Sequence, residues 1–459
     1  MTAIGVVGGG IAGLSAARKL VLAGAEVVLI EAADRLGGKV LTTRIGPACV
    51  ELGPDWFNAH TPGALELVNA LDLSDELVAP ARSGTAVWVD GRLVPLPAGL
   101  VRGVPASVRA ALSTGLLSRR GALRAAAGLL LPGRLRGPDV SLGAFLERRL
   151  GPEVVARLVD PLLAGARAGG TAELSLAAAA PELDAAARAH RNLASGLRAA
   201  AAAAPSFYGL RAGMQRLIEA LADRLGRAEV LTATRARALE QIAGGRFRVV
   251  LERAARTLDG LVLAAPAPAA ARLLGPLSPA AADALAAVRY ADAAVVVLVY
   301  PAGTELPEGS GFLVPSTEGR LLSAAAWYSA KWPHCAPDGS AVVRAFVTRP
   351  PGLALTDDEL ARRAAAEIAA AGGPSVAPRT AAVWRWRAGL PVYAVGHLER
   401  IGAAEDAIGG RPLALAGAAL RGAGLSGCIA SGEAAATRVL ARLSGQTPVT
   451  LRRGDRARR

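Results

Sequence analysis

The opening stretch Ile4-Gly-Val-Val-Gly-Gly-Gly-Ile-Ala-Gly constrains this chain more than any other. Ala3 to Val7 is an apolar run that reads as a buried strand, Gly8, Gly10 and Gly13 fill a G-x-G-x-x-G frame, and Leu14 to Ala23 has helical spacing. In the order strand, tight turn, helix each glycine has a mechanical task. Gly8 makes the turn, Gly10 lets a pyrophosphate approach the backbone, and Gly13 lets the helix pack close to the strand. The helix N-terminus, from Ile11 and Ala12 onward, then offers free N–H groups and a positive dipole end to the phosphates. A second strand, Glu26 to Ile30, ends in Glu31, about 20 residues beyond the glycines, where a carboxylate accepts from ribose hydroxyls. The unit predicts a dinucleotide site in an α/β domain.

The residues just after Glu31 narrow the dinucleotide. Asp34-Arg-Leu-Gly-Gly-Lys-Val40 resembles the E-x-x-x-R-x-G-G-[RK] extension of FAD-binding oxidases of the amine oxidase and porphyrinogen oxidase type. Its second glycine pair and cation give another close backbone approach and a charge for the same pyrophosphate. Val50-Glu-Leu-Gly-Pro-Asp-Trp-Phe57, with its E-x-G-P-D-x-F pattern, resembles the bacterial protoporphyrinogen/coproporphyrinogen oxidase family. The likeness continues in Ser141-Leu-Gly-Ala-Phe-Leu-Glu-Arg-Arg-Leu-Gly, Pro161-Leu-Leu-Ala-Gly, Ala330-Lys-Trp-Pro-His-Cys-Ala-Pro and Leu390-Pro-Val-Tyr-Ala-Val-Gly-His397. It departs at Arg167, where the family has tyrosine, at Gly170 and Ala172, at Val392 for glutamine, and at Gly427 for aspartate.

The resemblance implies an α/β fold: a discontinuous FAD-binding Rossmann-like domain (1–60, 206–274, 392–446), a helical cap (61–205), a strand-rich, mixed-sheet substrate domain (275–391) and a basic tail (447–459). Implied cofactor residues are Gly8, Gly9, Gly10, Ile11, Ala12, Gly13, Glu31, Ala32, Gly38 and Lys39 at the start. Gly53, Pro54, Asp55 and Trp56 form a turn against the flavin, Val230 brackets the adenine, and Trp386, Ala423, Gly424 and Leu425 complete the set. The helix after Gly424 points its N-terminus at the flavin O2 side, where reduced flavin carries negative charge. The implied chemistry is removal of hydride equivalents from coproporphyrinogen III, or alternatively protoporphyrinogen IX, by FAD, in three rounds, with dioxygen reoxidising the flavin to give hydrogen peroxide. No general acid or base is named.

Between these motifs, Ala64 to Leu73 reads as a helix, and Thr85 to Val89 with Arg92 to Leu96 as a hairpin across Asp90-Gly91. Strands are expected at Arg235 to Ile242, Arg246 to Glu252, Ala293 to Val299 and Ala341 to Thr348, and helices at Asp357 to Ala371 and Ala430 to Leu443.

The chain has 459 residues and a formal charge of +14, which fits an anionic substrate, an anionic membrane surface or simple compositional drift. With aromatics at 4% and no recognisable nucleic-acid module, a nucleic-acid partner is not expected. From Val101 to Pro138 no acidic residue occurs, while seven arginines punctuate a leucine-rich background, the pattern of a membrane-surface segment, a cavity wall or a solvated helical cap. Cys49, Cys335 and Cys428 make no C-x-x-C, and His60, His190, His334 and His397 are dispersed, so no disulfide framework or metal site is suggested. No long apolar span or signal core is read, and a cytoplasmic protein is expected. Two rival classes stay open, a flavin amine oxidase and a non-catalytic flavin-binding protein. No cysteine lies close before Leu413, where some amine oxidases attach flavin covalently.

Overall fold

The computed structural model describes residues 2–167, 170–202 and 206–445, with backbone alone at 164–167 and 199–202. The Arg167 side chain and the basic tail lie outside that description. The chain divides into two compact units, one from Met1–Gly38, Leu217–Ala287 and Arg400–Arg459, the other from Lys39–Arg216 and Val288–Glu399.

The first unit is built on a parallel five-stranded sheet in the order Glu229–Leu231, Glu26–Ile30, Ala3–Val7, Gly260–Leu263, Leu413–Leu415. Its central strands are covered on both faces, which is why they read as nearly continuous apolar runs. Ile4, Val6, Leu29, Leu261 and Val262 are fully buried. Helices Ile11–Leu22 and Leu425–Leu443 lie against each other so closely that a Cβ on Gly432 would fall 2.0 Å from the Ala12 carbonyl oxygen. The second of these begins five residues before the expected Ala430. Its first turn carries Gly427, pressed against Gly422, and glycines there read as loop in the sequence. The strands expected around Gly244-Gly245 are shorter, Ala238–Gln241 and Phe247–Val250, and both glycines take positive φ in the turn between them.

The second unit carries a seven-stranded sheet in the order Thr380–Pro391, Tyr290–Ala302, Ser340–Val347, Ala324–Trp327, Gly311–Leu313, Thr85–Val89, Arg92–Pro95. All pairings are antiparallel except Gly311–Leu313 with Thr85–Val89. The expected hairpin turn is present, with Asp90 and Gly91 both at positive φ as a tight primed turn requires. Helix Ala64–Ala70 stops short of Leu73, and Asp72 at φ 59 ends it. Helices between Val108 and Ala202 bury Leu116, Leu129, Leu142, Leu146, Leu158, Leu183 and Leu197 in one apolar core. An alanine-rich stretch, 177–204 in the sequence, enters this group through helices Leu176–Ala179, Pro181–Ala189 and Leu193–Ala202.

Candidate functional site

In the first unit the glycine turn forms a cradle. Gly8 sits at φ +111, and a Cβ on Gly13 would lie 1.8 Å from the Gly8 carbonyl oxygen, so both positions require glycine for the fold itself. Gly10 differs: its φ is −73 and a Cβ there would meet nothing within 4 Å. The space in front of it is open. Gly10 caps helix Ile11–Leu22 without a side-chain hydrogen bond and no acid occupies the first turn, so the N–H groups around Ile11 and Ala12 face that space with the positive dipole end.

Glu31 closes the cradle. Its carboxylate accepts from Gly9 N at 2.6 Å and Ala33 N at 2.7 Å, which pins it beside the turn at the end of strand Glu26–Ile30, just before Ala32. The second glycine pair folds back onto the first: Gly37 N donates to Gly9 O at 2.8 Å, and Gly38 lies so near that a Cβ would be 3.3 Å from Gly10 Cα. Arg35 donates to the Gly38 carbonyl. On the flanking edge strand, Val230 pairs with Leu29 in register and is 39% exposed, an apolar surface beside Glu31. Gly424 caps helix Leu425–Leu443, again with no side-chain cap and no first-turn acid, directly after Ala423. An uncapped helix end, a glycine with free space before it and a fixed carboxylate suit a dinucleotide's pyrophosphate and ribose.

In the second unit the loop Gly53-Pro54-Asp55-Trp56 is held from several sides. A Cβ on Gly53 would fall 1.8 Å from the Lys39 carbonyl oxygen. Trp386, on Thr380–Pro391, donates its indole N–H to Leu52 O at 2.8 Å. Asp55 Oδ2 accepts from Lys331 Nζ at 2.8 Å and Trp332 Nε1 at 3.0 Å, and Arg344 Nη1 is 3.4 Å from Oδ1. Arg344 Nη2 also donates to the Gly53 carbonyl at 2.8 Å. Burial acts to raise the Asp55 carboxyl, but the charges of Lys331 and Arg344 and the hydrogen bonds outweigh it, leaving it at about 2. Trp56 packs on Phe207, edge to face at 4.3 Å, and stays 40% exposed.

The structure thus gathers Gly8 to Gly13, Glu31, Ala32, Gly38 and Val230 about one cradle, and Gly53 to Trp56 with Trp386 about one loop. Three residues of the Asp55 cluster were not among the expected site. Lys331 and Trp332 stood inside a family-like motif without a role, and Arg344 was missed altogether. Its signal was an arginine within the apolar run Ala341-Val-Val-Arg-Ala-Phe-Val347, where a charge demands a buried partner. Glu51, 3% exposed at the end of strand Ala48–Glu51, was read only as part of a motif.

A parallel sheet with this cradle defines a dinucleotide-binding class of protein. Residues 11–440 match the family described as flavin containing amine oxidoreductase, and the chain belongs to that family. It is 36% identical to the coproporphyrinogen III oxidase of Propionibacterium freudenreichii subsp. freudenreichii, over 96% of this chain and 92% of that one. It is 32% identical to the coproporphyrinogen III oxidase of Bacillus subtilis (strain 168), over 95% and 97%. A crystal structure from Exiguobacterium sp. 255-15, provisionally assigned as a protoporphyrinogen oxidase, superposes with a TM-score of 0.85 at 31% identity, over 97% and 99%. The protein is an FAD-dependent oxidoreductase acting on a small molecule.

Proposed function

We propose that the protein oxidises coproporphyrinogen III to coproporphyrin III, with dioxygen as the final acceptor and hydrogen peroxide as co-product. The observation that carries this reading is the near full-length similarity to a coproporphyrinogen III oxidase at 36% identity. FAD, when bound, supplies the hydride acceptor, and the gain of ring aromaticity drives each round. Gly8 to Gly13 with the helix end at Ile11 and Ala12 would hold the pyrophosphate, Glu31 and Ala32 the ribose, Gly38 and Lys39 the phosphates, and Val230 the adenine. Gly53, Pro54, Asp55, Trp56, Trp386, Ala423, Gly424 and Leu425 complete the cofactor contacts. Residues 61–205 and 275–391 supply the substrate-binding parts, and 1–60, 206–274 and 392–446 the FAD-binding ones.

The charge of +14 supports a substrate with four propionates over protoporphyrinogen IX, which has two. At about 1 kcal/mol or less per exposed ion pair, two more carboxylates add up to about 30-fold in kcat/KM. Following porphyrin fluorescence under air with both substrates tests this, and coproporphyrinogen is expected to win. A clear preference for protoporphyrinogen reassigns the substrate, and turnover of neither rejects the porphyrinogen oxidase reading. Primary amines are expected to leave the flavin oxidised.

No helix of the described residues is long and apolar enough to cross a membrane. We further propose peripheral contact with anionic lipid through the segment from Arg102 to Arg136, which contains helices Val108–Ser113 and Arg119–Leu130. Leu112, Leu123, Leu130 and Leu131 are 48–63% exposed there, among the exposed Arg109, Arg119, Arg120 and Arg134. Co-sedimentation with vesicles containing anionic lipid is expected at low salt and is expected to weaken at moderate salt. Replacing Leu123 and Leu130 by serine is expected to weaken it at both. Equal, negligible sedimentation with and without anionic lipid would reject the contact.

A further inference from the structure

Oxidation of a methylene-bridged pyrrole removes two things in each round. A C–H bond breaks with its electron pair going to the cofactor, and an N–H proton leaves while its electron pair stays in the macrocycle. Reduction of dioxygen to hydrogen peroxide then takes back two electrons and two protons, of which the reduced cofactor supplies only one as hydride. One proton per round is thus released on reduction of the cofactor and consumed on its reoxidation, and a protein group that holds it in between keeps the two half-reactions matched.

Glu51 has the setting for such a group. Its carboxylate accepts from Met214 N at 2.7 Å and from the Thr42 hydroxyl at 2.9 and 3.0 Å. These bonds hold it in place in either protonation state, because Oε1 keeps the Met214 N–H while Oε2 meets only the Thr42 hydroxyl, which can rotate to donate or accept. It lines a cavity with room for about one water molecule, together with Asp55, Tyr328, Arg211, His334 and the thiols of Cys49 and Cys335. Burial pushes its carboxyl up, against the Met214 and Thr42 hydrogen bonds and the Arg344 charge, to about 7. The charged groups around it are Arg344 from Ser340–Val347, Asp55 from the following loop and Arg211 in the cavity lining, with Tyr328, from the helical turn Tyr328–Lys331, kept neutral by burial. Burial holds the Cys49 and Cys335 thiols up as well, and burial and Arg211 hold His334 down, so these stay neutral while Glu51 titrates. Lys331 and Arg344 meet the single firmly ionised Asp55, so the charge of this cluster near neutral pH is set by Glu51.

We propose that Glu51 takes up one proton when the bound FAD is reduced and returns it when the FAD is reoxidised. It acts as a positioning residue for charge at the Gly53–Trp56 loop. The inference rests on the proposal that this loop contacts the cofactor. Negative charge developing there raises the affinity of the Glu51 carboxylate for a proton through space and through the Asp55–Arg344 pair. The atoms balance: reduced cofactor, carrying hydride, plus dioxygen plus the Glu51 proton gives oxidised cofactor, hydrogen peroxide and the Glu51 carboxylate.

The test is the midpoint potential of the FAD-loaded protein, without substrate, as a function of pH, for wild type and Glu51→Gln. One extra proton per two electrons steepens the wild-type slope by about 30 mV per pH unit above neutrality, and Glu51→Gln is expected to lose that increment. Glutamine keeps an acceptor for Met214 N and Thr42, so the fold is retained. Should the variant nonetheless fail to fold, the wild-type enzyme alone decides: infrared difference spectra of reduced minus oxidised protein are expected to show a buried carboxyl C=O band appearing on reduction at neutral pH. Parallel potential curves, or no carboxyl band on reduction, would overturn the proposal. Neither readout uses a porphyrinogen, so failure here is separate from failure to turn over that substrate.

Discussion

Gly10→Val is expected to fold normally and to purify without FAD. A Cβ at Gly10 meets no protein atom within 4 Å and its φ of −73 suits any residue, so the folded chain tolerates the branch. The branch enters the space where the pyrophosphate has to approach the backbone. Affinity is expected to fall roughly a hundredfold or more, about 2.8 kcal/mol. Gly13→Ala is the contrasting case: its Cβ would sit 1.8 Å from the Gly8 carbonyl oxygen, so the strand–helix packing itself gives way. Acid-released flavin measured beside circular dichroism separates the two. Full flavin occupancy in folded Gly10→Val would show that the cradle binds something else. Glu31→Ala belongs between them, because it removes the carboxylate and leaves the Gly9 and Ala33 N–H groups without their acceptor.

Asp55→Asn is expected to carry a large cost to stability. It leaves Lys331 and the fully buried Arg344 without a carboxylate, and breaking a buried pair from one side costs roughly 3–5 kcal/mol. Arg344→Met is expected to cost less, since Asp55 keeps the Lys331 and Trp332 hydrogen bonds and the apolar replacement suits the strand. The sign of the pH dependence comes from a carboxyl held below its ordinary value. Its contribution is complete above 3.8 and is lost as pH falls through about 2. Denaturant curves for wild type and Asp55→Asn should therefore differ most near neutral pH and converge in strong acid. A constant difference across that range would mean that ion pairing is not what Asp55 contributes.

The two predictions draw on different kinds of information. The frame around Gly10 was readable in the order of residues, because a turn, a helix start and a carboxylate some 20 positions later are local facts of chain geometry. The same holds for the hairpin at Asp90-Gly91, where a positive φ at each turn residue is encoded in the dipeptide itself. Short-range rules were weaker at element ends. The helix beginning at Leu425 was expected later because its glycines serve close packing against Gly422 and Ala12, and the turn they suggest is absent. The Asp55 cluster depends on residues 276 and 289 positions away in the chain, Lys331 and Arg344. Burial of a charge is decided by what surrounds it in three dimensions, and no local spacing reports that. Glu51 is the clearest instance. As a residue in a motif it is an ordinary carboxylate, and only the strand and loops that close over it, with one backbone N–H and one hydroxyl to accept from, make it a group that titrates near neutrality. The shape of the glycine cradle was thus determined by the sequence alone, through local backbone geometry, whereas the charge state of the buried cluster was decided by tertiary packing, through desolvation and distant partners.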